Sequence, residues 1–227
     1  MESGSKPSQG QFLLFRVIRT ACPRDEFNPR DFNLQSQFSQ AQEILDESES
    51  FQSFLDAIEE NDESGLGFFA PIREQQLEIL AKAPTGTRSE GPIGVDESPV
   101  NATLINFLKA VQEITPDRDY KWRYSKAHLT AEFPPKTQHG AKRANPDVPY
   151  FTAITDGQLQ HADSYRIKIV LECKRYRRRK CALQVDMQEA AQVVAWVKQY
   201  PSNERQRVVV SQNGEEIYIN FAQYDDA

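Results

Sequence analysis

The sequence predicts an α/β protein in which helices flank a mixed central sheet and the first part of the chain is mainly helical. Three observations in the second half support this prediction. Residues 165–174 (YRIKIVLECK) are the most strongly β-type run in the chain, with β-branched residues at their centre. Valines and alanines then recur at helical spacing over 185–197, and Pro201 ends the pattern. Two further β-type runs, 207–211 and 216–221, flank an Asn-Gly pair, which is a strong hairpin signal.

The N-terminal part, residues 1–97, is predicted to be an acidic and mainly helical region. Residues 1–10 are small and polar, and we expect them to be disordered. Apolar residues at helical spacing predict helices at about 34–46 and 49–60. A third helix is predicted from Pro71 to Ala81, because proline is well tolerated in a first turn. Prolines and glycines over 83–98 then predict an exposed linker.

A second domain is predicted at 98–227. Ser98 or Asn101 can cap its first helix, which runs to about Ile114. The pattern then becomes extended at 121–133 and again at 150–155, a strand that 158–160 could extend, and the polar, basic stretch 134–145 between them is predicted to be a loop.

Charge is distributed unevenly along the 227 residues. The net charge is −6, but residues 1–100 hold 8 basic and 18 acidic side chains, whereas 101–227 hold 19 and 15. No apolar run approaches the length of a membrane span or of a signal-peptide core. Three cysteines and three scattered histidines match neither a disulfide framework nor a zinc spacing. We therefore expect an intracellular protein of nucleus or cytoplasm with no membrane partner.

Three charged side chains are predicted to meet in the hairpin that ends at residue 174. With the turn near 161–164, Asp156 lies opposite about Glu172, and Lys174 shares the face of Glu172. Carboxylates this close repel each other, and a hard cation such as Mg²⁺ relieves the repulsion. Glu172 and Lys174 could instead form a surface ion pair on an edge strand. The metal interpretation fits hydrolysis of a phosphodiester, in which the lysine steadies a water or the developing charge.

The ordered segments TDGQL, VLECKR, MQEAAQVVAWV and VVVSQNGEEIYINFAQYDD resemble the PD-(D/E)XK nuclease superfamily, and more narrowly the nuclease-like domains of fungal proteins. The resemblance covers roughly residues 98–226. It implies a restriction-endonuclease-like αβββαβ core that binds Mg²⁺ or Mn²⁺. It also implies that Asp156, Glu172 and the backbone carbonyl of Cys173 are metal ligands and that Lys174 is the catalytic lysine.

Other residues are candidates for the same site. Gln188 and Gln192 share one helical face and could orient Lys174 or contact the nucleic-acid backbone. Glu113 could supply a further acidic ligand. Asp147 follows a proline and competes with Asp156 as the first ligand, although Pro149 would fit poorly in a paired strand after it.

The run RYRRRK follows the site directly and suggests a track for phosphates: Arg175, Arg177, Arg178, Arg179 and Lys180. A solvated loop or a nuclear-import signal would explain the same run. The predicted function is metal-dependent hydrolysis of nucleic acid, with DNA preferred. The alternative is a catalytically inactive interaction or regulatory module, which could bind nucleic acid. The helices at 34–60 are expected either to form a homo-oligomer through Phe38, Phe51, Phe54 and Ile58 or to pack on the nuclease-like domain.

Overall fold

The computed structural model describes residues 4, 6–62, 64–82, 97–133 and 149–224. The helices are α1 (Gln9–Phe15), α2 (Gln35–Glu47), α3 (Glu49–Glu60), α4 (Ala70–Lys82), α5 (Ser98–Glu113) and α6 (Ala182–Gln199). The strands are β1 (Tyr120–Arg123), β2 (His128–Glu132), β3 (Tyr150–Ile154), β4 (Gly157–His161), β5 (Ile167–Lys174), β6 (Gln206–Asn213) and β7 (Glu216–Gln223). Most of the predicted linker and the predicted loop at 134–145 lie outside the described residues, as does Asp147.

Two sheets are present in the described residues. The larger is five-stranded in the order β1-β4-β5-β6-β7, and the smaller pairs β2 with β3. β5 and β6 run parallel, with α6 connecting them, and the other neighbouring strands are antiparallel. The predicted α/β class with a mixed sheet is therefore confirmed.

The two faces of the large sheet pack against different helices, because neighbouring residues of a strand point to opposite sides. Leu171 of β5 lies in a buried cluster with Leu104 and Ile105 of α5. Val170, one residue earlier, is buried with Ala191 and Trp196 of α6. α5 and α6 thus enclose β5 from both sides, and the site at its end is positioned by both helices.

The predicted strand at 121–133 is divided in the structure, and this corrects the sequence interpretation. β1 pairs with β4 in the large sheet, whereas β2 pairs with β3 in the small one. Thr155 links the two places where the chain passes from one sheet to the other. Its backbone N–H donates to the Ala127 carbonyl at 3.0 Å, and its hydroxyl accepts from the Ala127 N–H at 3.0 Å. The predicted strand around 150–160 is divided at the same place, so Asp156 lies where the chain passes from one sheet to the other.

The start of the chain is more ordered than its composition predicts. Ser8 caps α1 in a capping box with Gln11, and the Gly4 N–H donates to the Thr152 carbonyl at 2.9 Å. Phe15 packs on Phe151 with ring centroids 5.3 Å apart, which attaches α1 to the small sheet. Neither Ser98 nor Asn101 caps α5, because Glu97 is the residue at that position.

The helices α2, α3 and α4 agree closely with the sequence prediction, and part of their apolar surface packs inside the chain. Phe54 is buried beside Phe69 and Ile72, and Phe51 packs against the same cluster. That cluster includes Ala110 of α5, so it contacts the second half of the chain. None of the helices over the described residues combines the length and apolarity that crossing a bilayer requires.

Candidate metal centre

Glu172 is the buried centre of the candidate site. It lies near the end of β5 with a relative exposure of 0%, on the face that packs against α6. Gln192 of α6 donates its amide N–H to Glu172 Oε2 and also to the Ile154 carbonyl. Burial raises the pKa of Glu172 to about 8, and the charge on Asp156 adds to the effect while Lys174 opposes it.

Asp156 is the second carboxylate of the site. Its backbone N–H donates to the Leu171 carbonyl at 2.9 Å, and Gly157 is paired with Leu171, so the hairpin register places Asp156 opposite Glu172. Oδ2 of Asp156 accepts from the backbone N–H of Cys173 at 2.9 Å, and Oδ1 lies 3.4 Å from the Lys126 ammonium. These contacts fix the orientation of the carboxylate towards the end of β5.

Lys174 closes the site. Its ammonium donates to Glu172 Oε1 and, at 3.0 Å, to the carbonyl oxygen of Cys173. The side chain is only 16% exposed. Burial lowers the pKa of Lys174, but the carboxylate of Glu172 outweighs this, with help from Glu97 and Asp156, and the pKa is raised.

Glu97 is a site residue that the sequence interpretation missed. It precedes α5, and its Oε2 lies 3.9 Å from the Lys174 ammonium. Burial raises the pKa of Glu97, Lys174 opposes this, and Asp156 adds to it. Glu113, which was the sequence candidate from the same helix, lies at the far end with its side chain 63% exposed and paired with Arg118. The structure therefore places the opposite end of α5 at the site.

Two amides close to the site were also missed. Asn101 of α5 donates to the Asp156 carbonyl at 2.9 Å, and its Oδ1 lies 3.9 Å from the Cys173 thiol. Asn213 of β6 is the register partner of Lys174 and is completely buried. Neither polar atom of its side chain has a hydrogen-bond partner within the described part of the chain. Its position in an Asn-Gly pair suggested only a turn.

The two predicted glutamines both lie on the buried face of α6, but they differ in their contacts. Gln192 holds Glu172 rather than Lys174, so any effect on the lysine is indirect. Gln188 is buried one turn earlier on the same face.

The predicted basic track is divided between interior and surface. Arg178 is only 7% exposed, and its guanidinium pairs with Asp186 at 3.0 Å and with Glu189. Arg177 is exposed and paired with Glu215, while Arg175 lies over the Tyr176 ring at 4.5 Å. Arg179 and Lys180 are exposed. Arg178 is therefore paired with acids of its own chain and is not part of the exposed basic surface.

The donor set fits a hard divalent cation. Asp156 and Glu172 supply carboxylate oxygens and Cys173 supplies a carbonyl oxygen, which are the ligands that Mg²⁺ prefers. The Lys174 ammonium, which contacts two of these three groups, shows that positive charge is stabilised there. Among the described residues no group of three or more histidine, cysteine, aspartate or glutamate side chains is arranged to hold a metal ion. Any bound ion would therefore need the Cys173 carbonyl or water as further ligands.

No family model, no curated protein and no solved structure matches this chain. Function is therefore inferred from the residues and their geometry.

Proposed function

We propose that this protein is a metal-dependent nuclease that hydrolyses phosphodiester bonds of DNA. Asp156, Glu172 and the Cys173 carbonyl would hold Mg²⁺ or Mn²⁺, and Lys174 would be the catalytic lysine. The observation that carries the proposal is the bonding of the Lys174 ammonium. It is held jointly by Glu172 and by the Cys173 carbonyl, beside Asp156. This pocket, at the end of a buried strand, stabilises a cation with oxygen ligands.

Each residue has a distinct task in the proposed reaction. A bound ion would lower the pKa of a water and neutralise charge on the phosphate. Lys174 would orient that water or stabilise the charge that develops in the transition state. Gln192 holds the Glu172 carboxylate in place, and Gln188 extends the same polar face of α6. Cys173 contributes its backbone, since its thiol faces α5 and burial raises the thiol pKa.

The strand order supports a restriction-endonuclease-like core. α5 precedes β1, the β4–β5 hairpin carries the acids, and α6 leads to the parallel strand β6. These elements give the order αβββαβ, with β2 and β3 inserted between β1 and β4. Arg175, Arg177, Arg179 and Lys180 follow β5 directly and would contact the phosphate backbone.

The proposal is tested by nicking of supercoiled plasmid DNA with Mg²⁺ or Mn²⁺. We expect Asp156→Asn, Glu172→Gln and Lys174→Met each to reduce the rate by at least about a hundredfold. Lys168 provides a matched control, because it lies on the same strand, is exposed and pairs with Glu204 at 3.2 Å. Lys168→Met should retain the wild-type rate. Nicking that needs no metal, or that survives in all three site variants, would rule out the proposed site.

A second candidate is a catalytically inactive module with the nuclease fold. The observation that favours it is that the two acids already have cationic partners, Lys174 for Glu172 and Lys126 for Asp156. Calorimetry with Mn²⁺ separates the candidates, because an inactive module of this kind has no need to bind the ion. Salt-sensitive DNA binding that survives Glu172→Gln without any nicking would indicate a binding protein.

The proposed partner is nucleic acid, and the proposed location is the nucleus or the cytoplasm. A homo-oligomer through the N-terminal helices would have to use Phe38 and Ile58, which keep about 49% and 39% of their surface exposed. Phe51 and Phe54 instead pack inside the chain.

A further inference from the structure

The position of Lys174 raises a question about how the proposed site could be loaded. Its ammonium bonds to Glu172 and to the Cys173 carbonyl, which are two of the three groups assigned to the cation. Two positive charges cannot share these oxygens without strong repulsion. A divalent ion that takes Glu172 Oε1 would therefore displace the Lys174 ammonium from that oxygen.

A displaced lysine in this place needs another acceptor. Its side chain is 16% exposed, so a free ammonium would be incompletely hydrated, and an unpaired charge in such a place is costly. Glu97 Oε2 is 3.9 Å from the ammonium, within the range of an ion pair but beyond that of a hydrogen bond. The side chain of Glu97 is 46% exposed. Glu97 directly precedes α5, the helix whose Asn101 donates to the Asp156 carbonyl. The ammonium would need to move closer to Glu97 by about 1 Å to form a hydrogen bond.

We infer that Glu97 is a positioning residue that receives Lys174 when the cation takes Glu172. The inference rests on the proposed function, since it assumes that Glu172 is a metal ligand. Glu97 then acts through the lysine: it removes the competing charge from the ligands and holds the ammonium beside the site. Its conservative variant Glu97→Gln keeps the shape but offers a weaker acceptor.

The alternative is that Glu97 binds the ion directly, and a double-mutant cycle separates the two roles. Mn²⁺ affinity is measured by calorimetry on the full chain for wild type, Glu97→Gln, Lys174→Met and the double variant. We expect Glu97→Gln to weaken Mn²⁺ binding about tenfold in the wild-type background, the size of one lost charged hydrogen bond. In the Lys174→Met background the same change should alter affinity by less than about twofold, because no lysine remains to be received.

The Lys174→Met single variant of the cycle has its own expected result. Lys174→Met should bind Mn²⁺ more tightly than wild type, because the competing ammonium is gone. Lys174→Gln serves as a second variant in case the methionine protein is poorly folded, and circular dichroism checks both. Glu113→Gln is the matched control, since Glu113 is an exposed glutamate at the far end of the same helix, and its affinity should equal that of wild type.

The outcomes distinguish failure of the inference from failure of the proposed function. Equal weakening by Glu97→Gln in both backgrounds would make Glu97 a direct ligand and overturn the inference, while the metal site stands. Weaker binding by both Lys174 variants would overturn it as well. Absence of Mn²⁺ binding in wild type, or binding unchanged by Asp156→Asn, would overturn the proposed site and the inference together.

Discussion

Two clusters of charged side chains include or adjoin the basic run, and each contains a largely buried cation, Arg178 in one and Lys174 in the other. The arginine cluster consists of Arg19, Arg178, Asp186 and Glu189, with two cations for two acids. The lysine cluster consists of Lys126, Lys174, Glu97, Asp156 and Glu172, and Arg175 also acts on Glu97.

The central donors of the two clusters differ in kind. A guanidinium presents several N–H groups in a fixed plane, so Arg178 bonds to Asp186 and Glu189 together and also reaches the Ser211 hydroxyl at 3.4 Å. An ammonium is a mobile point charge on a flexible stem, so Lys174 can change partners. The comparison indicates that the arginine cluster is structural, whereas Lys174 can exchange its partners.

The largest expected effect on stability comes from the arginine cluster. Arg178→Met leaves the buried Glu189 and the half-buried Asp186 short of a partner and should lower the free energy of unfolding by about 3–5 kcal/mol. Arg177→Met is the control, because it removes an exposed ion pair with Glu215 from the same run and should change stability little. Urea unfolding monitored by circular dichroism measures both. Equal losses in the two variants would contradict the structural role assigned to Arg178.

The lysine cluster should instead make the free energy of unfolding depend on pH. Burial raises the pKa of Glu172 from 4.5 to about 8, so between these values the folded metal-free protein holds a proton that the unfolded chain releases. This contribution to stability is fully present below pH 4.5 and is lost as pH rises through about 8. Glu172→Gln removes the dependence, so the variant should gain stability relative to wild type, on the order of a few kcal/mol, across that window. Parallel pH profiles in urea unfolding would show that Glu172 does not titrate in this way.

The sequence predicts the lysine cluster better than the arginine cluster, for a physical reason. A hairpin joins Asp156 to Glu172 through local pairing, so counting residues about the turn is enough to place them together. Arg178 instead meets Asp186 and Glu189 across a turn and a helix, and Arg19 arrives from the other end of the chain. A run of basic residues carries no signal of which member turns inward.

The misses within the lysine cluster have the same origin. Lys126 reaches Asp156 only because β1 and β2 belong to different sheets, and an extended pattern over 121–133 does not show the division. Glu97 lies at the end of a predicted linker, where no helical or strand periodicity indicates which way its side chain points. The local sequence pattern therefore predicted the hairpin and most of the strands. It did not predict side chains whose position depends on the chain passing between sheets or on the start of a helix.

The exposed members of the basic run should affect DNA binding rather than stability. Replacing Arg179 and Lys180 by alanine should weaken DNA binding several-fold and reduce the slope of log K against log salt by about 1 for each residue. Arg24→Ala with Arg30→Ala removes the same charge from exposed N-terminal turns and is the control. Fluorescence anisotropy at several salt concentrations measures the slopes. Equal slopes in the two double variants would mean that the change in DNA binding follows from net charge and not from contacts made by Arg179 and Lys180.

The smallest effect is expected from Arg19, the second cation of the arginine cluster. It contacts Glu189 at 3.0 Å and Asn220 at 3.0 Å and also pairs with Asp186, but its side chain is 29% exposed. Arg19→Met should cost about 1 kcal/mol in urea unfolding, because Arg178 still pairs both acids and a partly exposed ion pair contributes little.

In the Arg178→Met background Arg19 becomes the remaining guanidinium on both carboxylates. The same Arg19→Met change should therefore cost clearly more there, because residues that share partners are not additive. A cost that is equal in both backgrounds would mean that the two arginines act independently and that the cluster is two separate ion pairs. Arg24→Met, on an exposed turn, controls for loss of an N-terminal arginine and should leave both backgrounds unchanged.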